Sequence, residues 1–296
     1  MPLTSIQSAI EKKFKELFPS ITNEIHFGSV AGGCINETYK IDFSGKQFFS
    51  KLNSASKFPH LFEREAQGLK LIAGQKIIKV PEVIDHFEID HHQILLLEWI
   101  EEGERTEGFW KKFGEQLAAL HQVSNAFFGL NEDNYMGSIP QSNKPTGFWI
   151  DFFIHQRLQP LVQKCLLKKL LSPKHQSQFE KLYNQLPSIF DNEQVPALLH
   201  GDLWSGNFMC TKKSEPVLID TAVYFGHPAV DMAMTTLFGG FNHGFYEAYN
   251  YHTALQPNHK EQWEVCNLYP LLIHLILFGS SYLTQIETTI NRYTSK

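Results

Sequence analysis

This chain of 296 residues is poor in cysteine, poor in charge and free of any long uninterrupted apolar run. Its four cysteines, Cys34, Cys165, Cys210 and Cys266, lie far apart and form no Cys-x-x-Cys pair, which argues against a disulfide framework and a zinc knot. Charged residues make up only 19%, and 26 basic against 31 acidic side chains leave a formal charge of −5. No Lys/Arg run exceeds short pairs such as Lys168-Lys169, so no nucleic-acid partner is expected. The most apolar stretch, Leu268 to Leu283, contains Pro270, His274 and two serines and is too short to span a membrane. It reads as a buried helix. Internal repeats, low-complexity tracts and Pro/Ser linkers are also absent. Ile6, Ile10, Phe14 and Leu17 recur at helical spacing among Glu and Lys, as in an amphipathic helix rather than a signal peptide. The expectation is a cytoplasmic protein that neither enters membranes nor binds nucleic acid.

What is present is apolar and aromatic residues, at 43% and 13%, enough for a well-buried globular protein, and the length suits one large domain or two lobes sharing a cleft. Up to about residue 101 the pattern is strand-like. Ile25 to Val30, Cys34 to Phe43, Gln47 to Leu52, Ile78 to Phe87 and Gln93 to Ile100 alternate as strands, with one helix from about Phe58 to Ala73. After Glu101-Glu102-Gly103 the pattern becomes helical: Thr106 to His121, Gly147 to Cys165, Pro173 to Leu186, and further helices after Pro228. Only Ala197 to Asp220 interrupts them with short strands. The expected fold is therefore α+β and bilobal, a five-stranded antiparallel lobe with one key helix over residues 1–101 and a mainly helical lobe over 102–296.

The chemistry concentrates in His200-Gly201-Asp202-Leu203-Trp204-Ser205-Gly206-Asn207, followed by the apolar Pro216 to Ile219 and then Asp220. His-x-Asp-x-x-x-x-Asn is the spacing of a protein-kinase-like catalytic loop, with Asp202 as the base and Asn207 and Asp220 as Mg²⁺ ligands. Phosphoryl transfer requires positioning and charge neutralisation, and these residues supply hard oxygens and a proton acceptor. His-Gly-Asp alone would read as a turn; the asparagine in register and the strand leading to Asp220 favour the site. The first lobe then owes a lysine, a helical glutamate and a phosphate loop. Lys51 ends the third strand and Glu65 lies on the inward face of the following helix, with Glu63 turned elsewhere. A buried glutamate needs a cation, which sets Lys51 against the plainer reading of a solvent-facing lysine. Gly32 and Gly33 fall between the first two strands, where backbone amides approach phosphates as readily as they make an ordinary hairpin. The backbone of Glu98 and Ile100, where the lobes join, is the candidate for adenine.

These residues carry a resemblance. Gly32-Gly33-Cys34-Ile35-Asn36, Leu199 to Asn207 and Ile219 to Gly240 resemble the fructosamine kinase (ketosamine 3-kinase) family, relatives of the aminoglycoside phosphotransferases. So do Asp133 to Gly137 with Pro140-Gln141, and Trp149 through Phe152-Phe153 to Arg157-Leu158. The resemblance implies ATP-dependent phosphorylation of the 3-hydroxyl of ketoamines, on small molecules or glycated lysine, in deglycation and protein repair. It adds Cys34 and Asn36 to the ATP site. Trp204, Trp149 and Phe152 become candidate walls for the sugar and Asp133 a candidate partner for the amine, although each large aromatic taken singly reads as core. Asp231 is expected to brace the catalytic loop, and His200 to pack and hydrogen-bond rather than act as acid or base. Cys34 reads as a small buried residue or as a redox-sensitive thiol. One departure is Thr221, where the family usually has Pro, which would loosen that segment slightly. Asp231 follows Asp220 too closely for a protein-kinase activation loop, so the acceptor is expected to be small. The alternatives are a kinase of the same fold acting on an aminoglycoside, choline or sugar, and a non-catalytic pseudokinase. A monomer and a homodimer are equally open.

Overall fold

Alternation with period two builds the first lobe and a period near 3.6 the second. A computed structural model describes residues 3–19, 25–30, 36–191 and 193–294. Gly32, Gly33 and Cys34 lie outside the described residues. Helix α1 (Leu3–Leu17) leads to strands β1 (Ile25–Ser29), β2 (Glu37–Phe43) and β3 (Lys46–Ser54), then helix α2 (Leu61–Gln75) and strands β4 (Val83–Ile89) and β5 (His92–Glu98). The five strands form one antiparallel sheet in the order β1-β2-β3-β5-β4.

Successive side chains on a strand face opposite sides, and that parity places the site. Phe48, Leu52, Ile94 and Leu96 pack against Ile6, Ile10 and Phe14 of α1. Leu95 and Leu97 turn the other way, toward Phe62, Leu69 and Ile72 of α2, and Phe49 joins them. Lys51 shares the parity of Phe49 and so emerges on the α2 side.

The second lobe begins with α3 (Glu107–Leu120), whose N-cap Thr106 accepts the Phe109 amide through its hydroxyl at 3.2 Å. A short hairpin follows, β6 (Asn134–Met136) and β7 (Ile139–Gln141). Next come α4 (Trp149–Phe152), α5 (Gln159–Leu167), α6 (Pro173–Tyr183) and α7 (Leu186–Ile189). Strand β8 (Ala197–Leu199) enters the central loop, β9 (Phe208–Cys210) pairs with β10 (Pro216–Leu218), and β11 (Tyr224–Gly226) returns to pair with β8. Helices α8 (Ala229–Leu237), α9 (His243–His252), α10 (His259–Cys266), α11 (Leu268–Phe278) and α12 (Leu283–Thr294) complete the bilobal, protein-kinase-like arrangement. No helix among the described residues is long and apolar enough to cross a membrane.

Four local expectations change. The fourth strand starts at Val83 rather than Ile78, because Pro81 cannot donate to a ladder and residues before it leave the sheet. Lys79 instead bridges to Val217, its carbonyl accepting the Leu218 amide at 2.9 Å. The helix expected over Gly147 to Cys165 contains a π-helical stretch, Phe153–Leu158. That stretch carries Arg157, fully buried, with its guanidinium over Tyr224 at 4.0 Å and Phe152 at 4.5 Å. The run Leu268 to Leu283 breaks at Gly279, φ 91°, into α11, a 3₁₀ turn and the start of α12. Finally, the β6–β7 hairpin and β11 were not expected as strands, their three-residue lengths being too short for alternation to register.

His227 sits at the end of β11, buried, and its Nδ1 accepts the Ala229 amide at 3.0 Å, so the ring is neutral. Burial foremost, with His121 nearby and Asp191 opposing, holds its pKa down at about 3. An unfolded histidine titrates at about 6.5, so between there and the depressed value the unfolded chain carries the extra proton and stability is lost as the pH falls. The expected contribution is about 1.4 kcal/mol per pH unit. His227→Asn keeps an acceptor for Ala229 and removes the titration; urea unfolding from pH 6 down to pH 4.5 should show a shallower loss by that slope. Parallel slopes for the two proteins would refute it.

Candidate active site

The loop between β8 and β9 is held from below by one carboxylate. Asp231, in the first turn of α8 and fully buried, accepts the His200 amide at 2.7 Å and the Gly201 amide at 2.9 Å. His121 Nε2 lies 3.2 Å from the same group and His121 Nδ1 lies 2.7 Å from the Tyr249 hydroxyl. Burial would raise the Asp231 pKa, but His121, His200 and the Gly201 amide outweigh it and hold the carboxyl below its usual range. Gly201 is at φ 84°, and a Cβ there would fall 2.1 Å from the Ala222 carbonyl oxygen, so only glycine fits. The His200 ring donates from Nε2 to the Ile219 carbonyl at 2.9 Å and accepts the Asp202 amide at Nδ1 at 3.2 Å. Both nitrogens are thereby committed, and burial holds the ring's pKa down.

Asp202 projects from this loop into the interlobe cleft, with Asn207 beside it. Asn207 Nδ2 donates to the Asp202 carbonyl at 2.8 Å and to its Oδ2 at 3.0 Å. Burial first, then the charge of Asp220, pushes the Asp202 carboxyl well above its ordinary value, against the opposing bond from Asn207. Asp220 follows β10 in the left-handed region at φ 55°. From the sheet, Lys51 reaches in with its Nζ 2.6 Å from Glu65 Oε1 and 2.5 Å from Asp220 Oδ1. Burial alone would lower the lysine's pKa; Asp220 and Glu65 together carry it above the ordinary value. For Glu65 burial dominates, raising its pKa against the opposing charge of Lys51.

Lys51, Glu65, Asp202, Asn207 and Asp220 thus line one cleft, and Asn36 and Trp204 line it too. Asn36 Oδ1 accepts from Asn53 at 2.6 Å. Trp204 is 37% exposed and meets Phe238 edge-on at 5.8 Å. Other expected residues stand apart. Trp149 and Phe152 are 1% and 0% exposed, packed with Phe153 and Tyr224, so both belong to the core and not to the cleft wall. Asp133 faces the neighbouring groove beside Gln67 and Leu71, and its Oδ1 accepts the Asn143 amide at 2.7 Å. Glu98 has already given its amide to the Glu82 carbonyl at 2.8 Å and its carboxylate to Lys79 at 2.8 Å, while Ile100 is 7% exposed. The reading from sequence missed Arg64, Tyr135, His274 and Phe278, which line the cleft from α2, β6 and α11. Arg64 adjoins Glu65, which was a usable signal; α11 is some seventy residues beyond the loop and nothing local marks it.

Asp231→Ala leaves two buried amides and His121 without their acceptor. The expected loss is about 3–5 kcal/mol in urea unfolding, the scale for removing one partner of a buried charged set. An Asp231→Ala protein as stable as the parent would mean that the loop holds itself.

The comparisons with known proteins converge. Residues 6–296 match the sequence model of the family described as fructosamine kinase. A probable ketoamine kinase of Synechocystis sp. is 38% identical over 269 residues, spanning 89% of this chain and 88% of that protein. A chloroplastic protein-ribulosamine 3-kinase of Arabidopsis thaliana is 34% identical over 270 residues, spanning 90% of this chain and 82% of the other. Among solved structures, a candidate fructosamine-3-kinase of Haemophilus somnus superposes with a TM-score of 0.87 at 27% identity, covering 96% of each chain.

Proposed function

Because the chain belongs to the fructosamine kinase family, we propose that it transfers the γ-phosphoryl group of ATP to the 3-hydroxyl of a ketoamine. The observation that carries this reading is the convergence of Lys51, Asp220, Asp202 and Asn207 on one cleft with an exposed Trp204 at its side.

Asp202 takes the proton of the attacking hydroxyl. Lys51, held by Glu65, contacts the α- and β-phosphates. The residues present suit Mg²⁺. Asn207 commits its amide nitrogen to Asp202 and keeps Oδ1 for an ion, and Asp220 gives Oδ1 to Lys51 and keeps Oδ2. Among the described residues no group of three or more His, Cys, Asp or Glu could hold a metal. Two protein oxygens completed by phosphate and water is the arrangement that Mg²⁺, which dehydrates reluctantly, tolerates. When bound, the ion neutralises charge on the phosphates. Trp204 offers an aromatic face to the sugar. At the join of the lobes, adenine is left the Glu98 carbonyl and the backbone of Ile100, since the Glu98 amide is taken.

The test is ATP consumption with ribulose-lysine and fructose-lysine beside kanamycin, choline and free ribulose. A ketoamine should be the preferred acceptor, and preference for any of the others would overturn the substrate class. Asp202→Ala should lower turnover by about 10²–10⁴-fold, the usual scale for a general base, while ATP still binds. Full activity in that variant would remove Asp202 from the mechanism.

A further inference from the structure

Resting on the kinase reading above, we propose that the β6–β7 hairpin sets the position of α2, and so of the Lys51–Glu65 pair, with Arg64, Glu132 and Tyr135 as positioning residues. Helix α2 begins without a side-chain cap: His60 occupies the cap position at φ 61° and contributes no such bond. Within its own lobe the start of the helix is tied by Gln93, which accepts the Phe62 amide at 3.0 Å and donates to the Phe58 carbonyl at 2.6 Å. Two further ties cross between the lobes. Arg64 is ion-paired with Glu132, just before β6, and the Tyr135 hydroxyl donates to the Pro59 carbonyl at 3.0 Å.

The same hairpin grips the segment that follows Asp220. Asn134 donates to the Val223 carbonyl at 2.8 Å and Gln141 to the Ala222 carbonyl at 3.2 Å. Gln141 also donates to Asn134 Oδ1 at 2.7 Å, which stiffens the base of the hairpin between these contacts. Both carboxylates that flank Lys51 are therefore carried by elements that this one hairpin holds. The side chains of Arg64 and Glu132 are 22% and 52% exposed, so their pairing adds little to global stability. Its effect is on a local equilibrium, the docking of α2, where a tenfold shift corresponds to about 1.4 kcal/mol.

The experiment uses the full chain with Arg64→Glu, Glu132→Arg, the double exchange and Tyr135→Phe. Hydrogen exchange of α2 in the ligand-free protein is measured beside melting temperature and the KM for ATP. Each single reversal should speed exchange in α2 and raise KM for ATP about tenfold, an effect of the size expected for a coupling energy, with the melting temperature unchanged. The double exchange should restore both, which loss of Arg64 as a direct ATP contact would not allow. Tyr135→Phe should show a smaller change in the same direction. If α2 exchange is unaltered in Glu132→Arg and Tyr135→Phe, Gln93 alone secures the helix and the proposal fails. A wild-type protein that phosphorylates no ketoamine would defeat the functional reading instead, and the exchange measurement would still decide the role of the hairpin.

Discussion

An ammonium held out of water between two carboxylates organises the molecule. The Lys51 side chain is 3% exposed, and an unpaired charge at such depth costs several kcal/mol. The sheet can present Lys51 to the interior only if Glu65 of α2 and Asp220 of the helical lobe both come to meet it. The two partners are not equivalent. Glu65 is 11% exposed and Asp220 is 43% exposed, so the cation is buried while one of its anions faces the cleft. Glu65 has the character of a lasting partner and Asp220 of one that a ligand can redirect, since an exposed carboxylate loses less on exchanging a lysine for another cation.

The loop from His200 to Asn207 depends on a second anion with a different task. Asp231 touches nothing in the cleft; it gathers the backbone amides of His200 and Gly201 and fixes where Asp202 leaves the chain. Behind it the helical lobe is joined by polar contacts as well as by apolar packing. Arg157, fully buried, donates to Asn143 Oδ1 at 2.8 Å, and Tyr269 donates to Gln141 at 2.8 Å. The network is not complete, since Arg157 Nε finds no hydrogen-bond partner among the described residues. It carries the rigidity of the interior out to the β6–β7 hairpin at the cleft edge.

How legible this was depended on sequence separation. Asp202 and Asn207 lie five residues apart, so chemistry and spacing could be read together, and Lys51 and Glu65 were linked by the demand of a buried glutamate for a cation. The face on which Lys51 emerges became visible only with the sheet, where it shares the parity of Phe49. Trp149 and Phe152 show where a one-dimensional reading stops: an aromatic pair looks the same whether it lines a cleft or fills a core, and only packing against Phe153 and Tyr224 decides. Asp133 was misplaced for a related reason, because its bond to the Asn143 amide depends on how a hairpin folds back. The π-helical stretch around Arg157 could not be seen at all, since one widened turn leaves the helical period of the apolar residues nearly intact.

Thr221 shows how the close approach of α2 is reached. The residue is 8% exposed, and its hydroxyl has no hydrogen-bond partner among the described residues. A buried hydroxyl in that state costs about 1–3 kcal/mol. Opposite it stands Gly68 of α2, where a Cβ would lie 2.9 Å from Thr221 Oγ1 and 3.1 Å from Val223 Cγ2. Glycine inside a helix costs about 1 kcal/mol more. Both penalties have one geometric return: α2 lies directly on the chain after Asp220, near enough for Glu65 to reach Lys51. Beside Thr221 the Ala222 amide donates to the His200 carbonyl at 2.9 Å while Gln141 and Asn134 hold the next two carbonyls. What position 221 must supply is a side chain that fits against helix α2 where Gly68 leaves it bare, and threonine does so beside Asp220.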